Sequence, residues 1–210
     1  VTPIDHSYFE PADRSLGRDV YDVMAIADGH IVEIGKRTQD VSGEGQLAEY
    51  RIIFEHTCTF YSYFDLVTSL TPDIQAAFDE VANSSNYASS LRIPVTEGQV
   101  IGKIGGQTLD FGVYNADVML DFISPELYQS EFWKIHTDDP FPYFKEPIRA
   151  QLLGRNVRQA EPRAGKIDYD QPGKLIGNWF KEGTNGYQGV MQNRYLDGHL
   201  SIAPDHIDPR

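Results

Sequence analysis

The sequence contains few cysteines, few basic residues and no long hydrophobic run. Its single cysteine, Cys58, cannot form an internal disulfide, which excludes the cysteine framework of a small secreted scaffold. There are 18 Lys and Arg residues against 31 Asp and Glu residues, and basic residues form no long run. This balance excludes nucleic acid and anionic membrane surfaces as partners. The longest apolar stretches, such as residues 20–27, are far shorter than the roughly 20 residues of a membrane-spanning helix.

Hydrophobic and aromatic residues are nevertheless abundant enough to build a core. The hydrophobic fraction is 40 %, and the chain has 12 Tyr and 11 Phe residues. These values exclude a disordered chain in spite of the net charge of −13. A length of 210 residues allows one large or two small domains. The chain begins at Val1 rather than Met, so we expect that upstream residues have been removed, either by truncation or by cleavage of a leader, and the second case is compatible with export.

Alternating β-branched, aromatic and small residues predict a mainly β protein. Residues 19–35 form two predicted strands around Asp28-Gly29, a dipeptide that favours a tight hairpin turn. Residues 50–55 and 59–65 form a second predicted strand pair, and residues 38–46 a polar loop. Further short strands are expected over residues 95–105 and 108–115.

Two helices interrupt this β pattern. Thr71 and Pro72 are a helix cap and first residue, and apolar residues follow at helical spacing: Ile74, Ala77, Phe78 and Val81. A second short helix is expected from Ser124-Pro125. Residues 1–135 are therefore predicted to form the main domain, with a helical insertion at about 71–90. Residues 136–210 are predicted to form a linker and a small β-rich C-terminal extension, with strands within residues 174–202.

Four segments, in this order, resemble the lysostaphin-like zinc endopeptidases, which are built on the duplicated hybrid motif fold. They are VMAIADGHIV at residues 23–32, IFEH with YFDL at residues 53–66, VTEGQVIGKIG at residues 95–105 and TLDF at residues 108–111. The resemblance covers roughly half of the chain. It implies a β-sandwich or barrel with a cleft, and a location in the periplasm or outside the cell.

The residues that hold and assist the zinc ion in this family are mostly replaced. Thr108 and Asp110 stand in place of the family's HxH pair, and Asp65 stands in place of the His of its YxH motif. His6 and Glu10 have the spacing of the remaining ligand pair but lie further upstream than the family pattern. The resemblance therefore implies a degenerate peptidase domain without catalytic residues, which binds a cell-envelope peptide, glycan or protein in a cleft. That cleft would be lined by His6, His56, Asp65, Thr108 and Asp110.

Two other functions remain open from the sequence. A remnant site of His6, Glu10 and Asp110 could bind zinc or another divalent cation and support a metal-dependent hydrolase, with His56 or Asp65 as the base. The aromatic residues between positions 128 and 144 could instead form a carbohydrate-binding surface; these are Trp133, Phe141, Tyr143 and Phe144.

The candidate site residues also have structural interpretations. A histidine at a strand end, such as His56, commonly bonds a backbone carbonyl, and a strand carboxylate such as Asp65 commonly pairs with a basic side chain. The residues around Cys58 do not form a convincing nucleophile pair of a His with a supporting carboxylate, which favours an inert thiol over a nucleophile.

Overall fold

The chain folds into two compact units. A computed structural model describes residues 5–41, 45–189 and 197–209. The first unit comprises residues 7–112, and the second comprises the N-terminal residues up to His6 together with the chain from Val113 onward. The sequence placed the boundary at residue 135, whereas the units divide after Gly112. Residues 113–135 belong to the second unit because Phe122 and Tyr128 pack with Ile167 in its core.

The first unit is built mainly of strands. Its helical elements are a short 3₁₀ helix, Arg14–Leu16, and the helix α1, Pro72–Val81. The last strand, β10, continues three residues past the unit boundary. The strands are β1 Ser7–Phe9, β2 Tyr21–Met24, β3 Gly29–Val41, β4 Gly45–Glu55, β5 Phe60–Val67, β6 Ser69–Leu70, β7 Tyr87–Ala88, β8 Ile93–Val95, β9 Val100–Ile104 and β10 Leu109–Asn115.

These strands form two antiparallel sheets, which confirms the prediction of a mainly β protein. The larger sheet has the order β1-β10-β5-β4-β3-β7, with β8 also paired to β3. The smaller sheet has the order β2-β9-β6. The two sheets approach closely at Gly102 of β9, where an added Cβ would lie 3.0 Å from Cγ1 of Val67 on β5. The buried residues of both sheets include Val23, Ile31, Ile34, Ile52, Phe54, Phe64, Val67, Ile101 and Phe111.

The two predicted hairpins have different outcomes. Strands β4 and β5 pair as expected, with Glu55 opposite Tyr61 beside the turn. The hairpin around Asp28-Gly29 is wrong, because β2 pairs with β9 and β3 pairs with β4, β7 and β8. Gly29 instead allows the main chain to pass close to Glu55 and His56. An added Cβ there would lie 3.0 Å from Nδ1 of His56, so the chain turns between the two sheets beneath this histidine.

The predicted polar loop over residues 38–46 is also wrong wherever the structure describes it. Strands β3 and β4 remain paired from Arg37 opposite Glu49 to Val41 opposite Gly45. Strand β5 reaches β4 only as far as Tyr50, and β7 reaches β3 only as far as Gly35. Strands β3 and β4 therefore extend beyond their neighbours as a two-stranded ribbon. Main-chain hydrogen bonds hold this ribbon together, so its sequence does not need to alternate apolar and polar residues.

One arginine lies at the end of β5, where this ribbon begins. Nη2 of Arg18 donates to the carbonyl of Ala48 at 2.5 Å and to the carbonyl of Thr68 at 3.0 Å. The carbonyl of Ala48 belongs to the part of β4 that β5 does not reach. The side chain thus satisfies a main-chain acceptor that has no neighbouring strand.

Helix α1 confirms the predicted helix and packs on β4. Ile74 and Phe78 are buried, and the ring of Phe78 meets that of Tyr50 edge-on with centroids 6.0 Å apart. Val81, which the sequence places on the same apolar face, is 51 % exposed. The helix therefore buries only its central part.

The second unit has little regular structure around its own core. A 3₁₀ helix, Pro125–His136, confirms the helix expected from Ser124-Pro125, with non-helical backbone at Glu131. Its core cluster consists of Phe122, Tyr128 and Ile167, with Leu120, Leu127, Ile135, Phe180 and Tyr187 packed against it. The other elements are two 3₁₀ helices, Phe141–Tyr143 and Gly186–Gln188, a helix α2, Ile148–Arg155, and a strand pair, β11 Gly177–Phe180 and β12 His199–Ile202. Helix α2 was not predicted.

Candidate functional site

An arginine and a carboxylate form the centre of the candidate site in the first unit. Asp65 on β5 accepts hydrogen bonds from Arg37 on both of its oxygens, with Nη1 3.0 Å from Oδ2 and Nη2 bonded to Oδ1. The Asp65 side chain is 11 % exposed and that of Arg37 is 48 % exposed. Such two-point, charge-assisted pairing fixes both groups more firmly than a single hydrogen bond. The backbone N–H of Leu66 also donates to Oδ1, at 2.7 Å.

Further charged groups surround this pair. Nη1 of Arg51 lies 3.9 Å from Oδ2 of Asp65, within ion-pair range. Burial lowers the pKa of Arg37, but the Asp65 hydrogen bonds and the negative charges of Asp65, Glu49 and Asp110 outweigh burial and raise this pKa above its ordinary value. Asp65 and Asp110, two of the predicted site residues, therefore both act on the guanidinium of Arg37.

These charged groups lie on one face of the larger sheet, around the ring of Tyr63. Its ring lies on Gly112, where an added Cβ would be 2.6 Å from Cζ of the ring. The guanidinium carbon of Arg51 lies over the ring at 4.4 Å from its centroid. Because alternate residues of a strand share a face, Asp65 lies on the side of Tyr63, and Asp110 on the side of Gly112. We call the set of Arg37, Glu49, Arg51, Tyr63, Asp65 and Asp110 the polar cluster.

His56 lies in the turn between β4 and β5 and points to the other face. Its Nδ1 is 2.9 Å from the carbonyl of Asp28, and its Nε2 is 2.7 Å from Oγ of Ser62. A carbonyl only accepts, so Nδ1 carries the proton and Nε2 accepts from the Ser62 hydroxyl. Ser62 is buried and three residues from Asp65, which puts the two on opposite faces. His56 thus holds the turn together and does not join the polar cluster.

His6 and Glu10 have partners of their own. His6 belongs to the second unit, and its Nδ1 is 3.0 Å from Oδ1 of Asp5. Glu10 belongs to the first unit and forms an exposed ion pair with Arg14 at 2.6 Å. Thr108 is half-buried immediately before β10. Across residues 5–41, 45–189 and 197–209, no group of three or more His, Cys, Asp or Glu side chains is arranged to hold a metal ion.

The second unit contains a buried ion pair. Nζ of Lys134 lies 2.8 Å from Oδ2 of Asp5 and 3.1 Å from Oε2 of Glu131. Burial opposes ionisation of Asp5, but the hydrogen bond from His6 and the charge of Lys134 outweigh it and hold the pKa of Asp5 below its ordinary value. Burial likewise lowers the pKa of Lys134, and the charge of Asp5 more than reverses this. The pair anchors the N-terminal segment to the core of this unit.

The aromatic residues proposed for carbohydrate binding have mixed environments. Phe141 is buried in the interior, and Trp133 is half-buried with its ring against that of Phe132. The exposed Tyr143 donates its hydroxyl to Oδ2 of Asp138 at 2.6 Å. At least Phe141 is therefore not available as a stacking surface.

Sequence reasoning missed the basic half of the polar cluster. Arg37 lies between the predicted strands of residues 19–35 and the predicted loop of residues 38–46, and neither Arg37, Glu49 nor Arg51 was predicted as a site residue. The alternation of Glu49 and Arg51 with Tyr50 and Ile52 was the available signal, because it puts two charged side chains on one face of a strand.

Comparison with known proteins adds no family to this description: neither a protein-family model nor a curated protein matches the chain. No helix in the described ranges has the length and apolar character needed to span a membrane.

Proposed function

We propose that residues 7–112 form a degenerate duplicated-hybrid-motif domain, a β-sandwich that serves as a binding or scaffolding module outside the cytoplasm. The proposal rests on the resemblance in the order of four segments, and on what stands at the altered positions. Asp65 and Asp110, which replace two histidines of the family pattern, both act on Arg37.

The guanidinium of Arg37 is the observation that carries this proposal. Asp65 was a candidate base for a hydrolase, but both of its oxygens already accept hydrogen bonds from Arg37, on which the charge of Asp110 also acts. A fixed organic cation therefore supplies the positive charge next to these carboxylates. A guanidinium cannot lower the pKa of a bound water as a zinc ion does, so such a cluster can bind and orient a ligand without hydrolysing it.

Calorimetry with zinc and manganese tests the loss of the metal. Chelator-stripped protein near neutral pH should give no heat of binding with either ion, and Asp110→Ala should behave in the same way. One-to-one binding that disappears in Asp110→Ala would overturn the proposal and favour a hydrolase with His6, Glu10 and Asp110 as ligands.

Ligand binding tests the recognition role. Peptide and saccharide fragments of the bacterial cell envelope should shift the NMR signals of Arg37, Asp65, Thr108 and Asp110. Arg37→Gln should weaken this binding by about tenfold or more, because a charged hydrogen-bond donor is lost. Lys36→Gln is the matched control, since it removes the same charge from the adjacent residue on the opposite face of β3. Failure of every fragment to shift these signals would contradict the recognition role.

A further inference from the structure

The strand pair of the second unit has an apolar outer face. Trp179 of β11 lies opposite Leu200 of β12, and Ile202 lies opposite Gly177 on the same side. Trp179, Leu200 and Ile202 are 46 %, 57 % and 40 % exposed. The indole Nε1 donates to the carbonyl of Leu175 at 2.7 Å, which fixes the orientation of the Trp179 ring. We call Leu175, Trp179, Leu200 and Ile202 the outer face.

The inner face of the same strands already holds the pair on its unit. Phe180 meets Tyr128 edge-on, with centroids 5.5 Å apart. Asn178 donates to the Tyr128 hydroxyl at 2.8 Å and accepts from Ser201 at 2.6 Å. The residues of the outer face are therefore not required for this packing.

The two edges of the strand pair differ. On β11, the outward N–H of Asn178 donates to Oδ1 of Asp170 at 2.9 Å, which blocks that edge. On β12, the carbonyl of Gly198 accepts from Lys181, so alternate residues from Gly198 onward point to β11. The N–H and C=O groups of His199 and Ser201 consequently point away from β11. Within the described ranges no strand pairs with β12 on that side.

Two acidic residues flank β12 in the sequence. Asp197 precedes β12 and Asp205 follows it. The backbone N–H groups of Asp208 and Ile207 hold the pKa of Asp205 below its ordinary value, so its carboxylate is charged at neutral pH. The chain as a whole carries −13, which opposes pairing with a second copy of itself.

We propose that β12 accepts an extended cationic peptide as the third strand of this sheet. The main chain of the peptide bonds to His199 and Ser201, and its alternate apolar side chains extend the outer face beside Leu200 and Ile202. Its Lys or Arg residues approach Asp197 and Asp205. Adding a strand to an open edge in this way provides affinity through main-chain bonds and selectivity through alternate side chains. This surface lies in the second unit and is independent of the polar cluster.

A pair of synthetic peptides tests the proposal on the full chain. A peptide of alternating valine and lysine should bind saturably and shift the amide NMR signals of residues 199–202. The amides of His199 and Ser201 should also exchange more slowly with solvent. The same peptide, N-methylated on the amides of one edge, should bind about tenfold more weakly or not at all, because it cannot form the main-chain bonds.

Two substitutions at one position separate the main chain from the side chain. Ser201→Ala and Ser201→Pro both lose the hydroxyl bond to Asn178, but only proline loses the outward N–H. Ser201→Ala should retain the affinity of the unsubstituted protein within about twofold, and Ser201→Pro should weaken it about tenfold. If Ser201→Pro fails to fold, the comparison of the two peptides decides.

Two results would overturn the proposal. Equal binding of the methylated and unmethylated peptides would mean that the edge is not used. A concentration-dependent dimer in sedimentation, with the Ser201 amide protected in the absence of peptide, would identify a second copy as the occupant instead.

Discussion

The ring of Tyr63 occupies the space that a side chain at position 112 would need. It is buried, with Gly112 on one side and the guanidinium of Arg51 on the other. The guanidinium of Arg51, which lies over this ring, is also 3.9 Å from Oδ2 of Asp65, so the ring supports one of the groups around the carboxylate. A single glycine thereby contributes to the geometry of the polar cluster.

Gly112→Ala should destabilise the first unit by about 1–3 kcal/mol, the usual cost of overpacking a buried site. Gly35→Ala is the matched control, since it also lies in the larger sheet beneath a tyrosine. An added Cβ there would be 3.5 Å from Cδ2 of Tyr87, which is an ordinary contact. Chemical denaturation followed by circular dichroism measures both. Equal effects of the two substitutions would contradict this account of Gly112.

The Asp5–Lys134 pair predicts a dependence of stability on pH. Because the pKa of Asp5 is lowered in the folded state, its stabilising contribution is fully present above the unfolded pKa of about 3.9 and is lost as the pH falls. Because the pKa of Lys134 is raised, its contribution is present below the unfolded pKa of about 10.4 and is lost as the pH rises. The pair therefore stabilises the second unit between these limits.

Asp5→Asn should lower the free energy of unfolding at pH 7 by about 3–5 kcal/mol, since it leaves the buried ammonium of Lys134 without its main partner. Its stability should also depend less on pH between pH 5 and pH 2 than that of the unsubstituted protein. Glu131→Gln, which removes the more exposed of the two carboxylates on Lys134, should cost less. Denaturant titrations across this pH range measure both, and a larger loss in Glu131→Gln would refute the assignment.

Two residues of helix α1 that look equivalent in the sequence, Phe78 and Val81, differ in burial. Phe78→Ala should cost about 3–5 kcal/mol, because it leaves a cavity beside Tyr50 and Ile74. Val81→Ala, three residues further on the same predicted face, should change the stability by less than about 0.5 kcal/mol, since Val81 is exposed. Denaturant midpoints compare the two, and similar losses would mean that the helix end packs more closely than the structure indicates.

The sequence predicts most clearly the elements that bury one face and expose the other. Strand β4 and helix α1 have apolar periodicity because each covers the core with one face, whereas β5 is buried on both faces and was predicted from its aromatic residues. Helix α2 buries no residue fully, so its sequence carries no such signal. The ribbon formed by β3 and β4 beyond Arg37 was taken for a loop for the same reason, since main-chain pairing alone maintains it.

The candidate site could be predicted only in part. Asp65 and Asp110 were found because they stand where the resemblance expects histidines, and the alternation of strands puts them on one face. Arg37 was missed because it lies at the base of the ribbon, and its pairing with Asp65 crosses 28 residues of sequence. His56 and Ser62 could not be paired from the sequence, since their contact depends on how the turn folds over Gly29.

The negative charge of the whole molecule predicts a response to salt. A net charge of −13 and a pI near 4.7 mean that the excess negative charges of the folded chain repel one another at neutral pH. Raising sodium chloride from 10 to about 200 mM shortens the screening length to below about 10 Å and should raise the melting temperature. Choline chloride at equal ionic strength is the control and should act equally. A gain specific to sodium would indicate cation binding, and a fall in melting temperature would contradict the prediction.

At one edge of the larger sheet, the side chain of Arg18 takes the place of a neighbouring strand. By holding the carbonyls of Ala48 and Thr68 it occupies the place where another chain could begin to pair. Arg18→Ala should therefore increase light scattering and thioflavin T fluorescence on prolonged incubation, whereas Arg14→Ala, on an exposed ion pair, should not. That result would assign to a single side chain the resistance to fibrous self-assembly, a role in solubility that is separate from ligand binding.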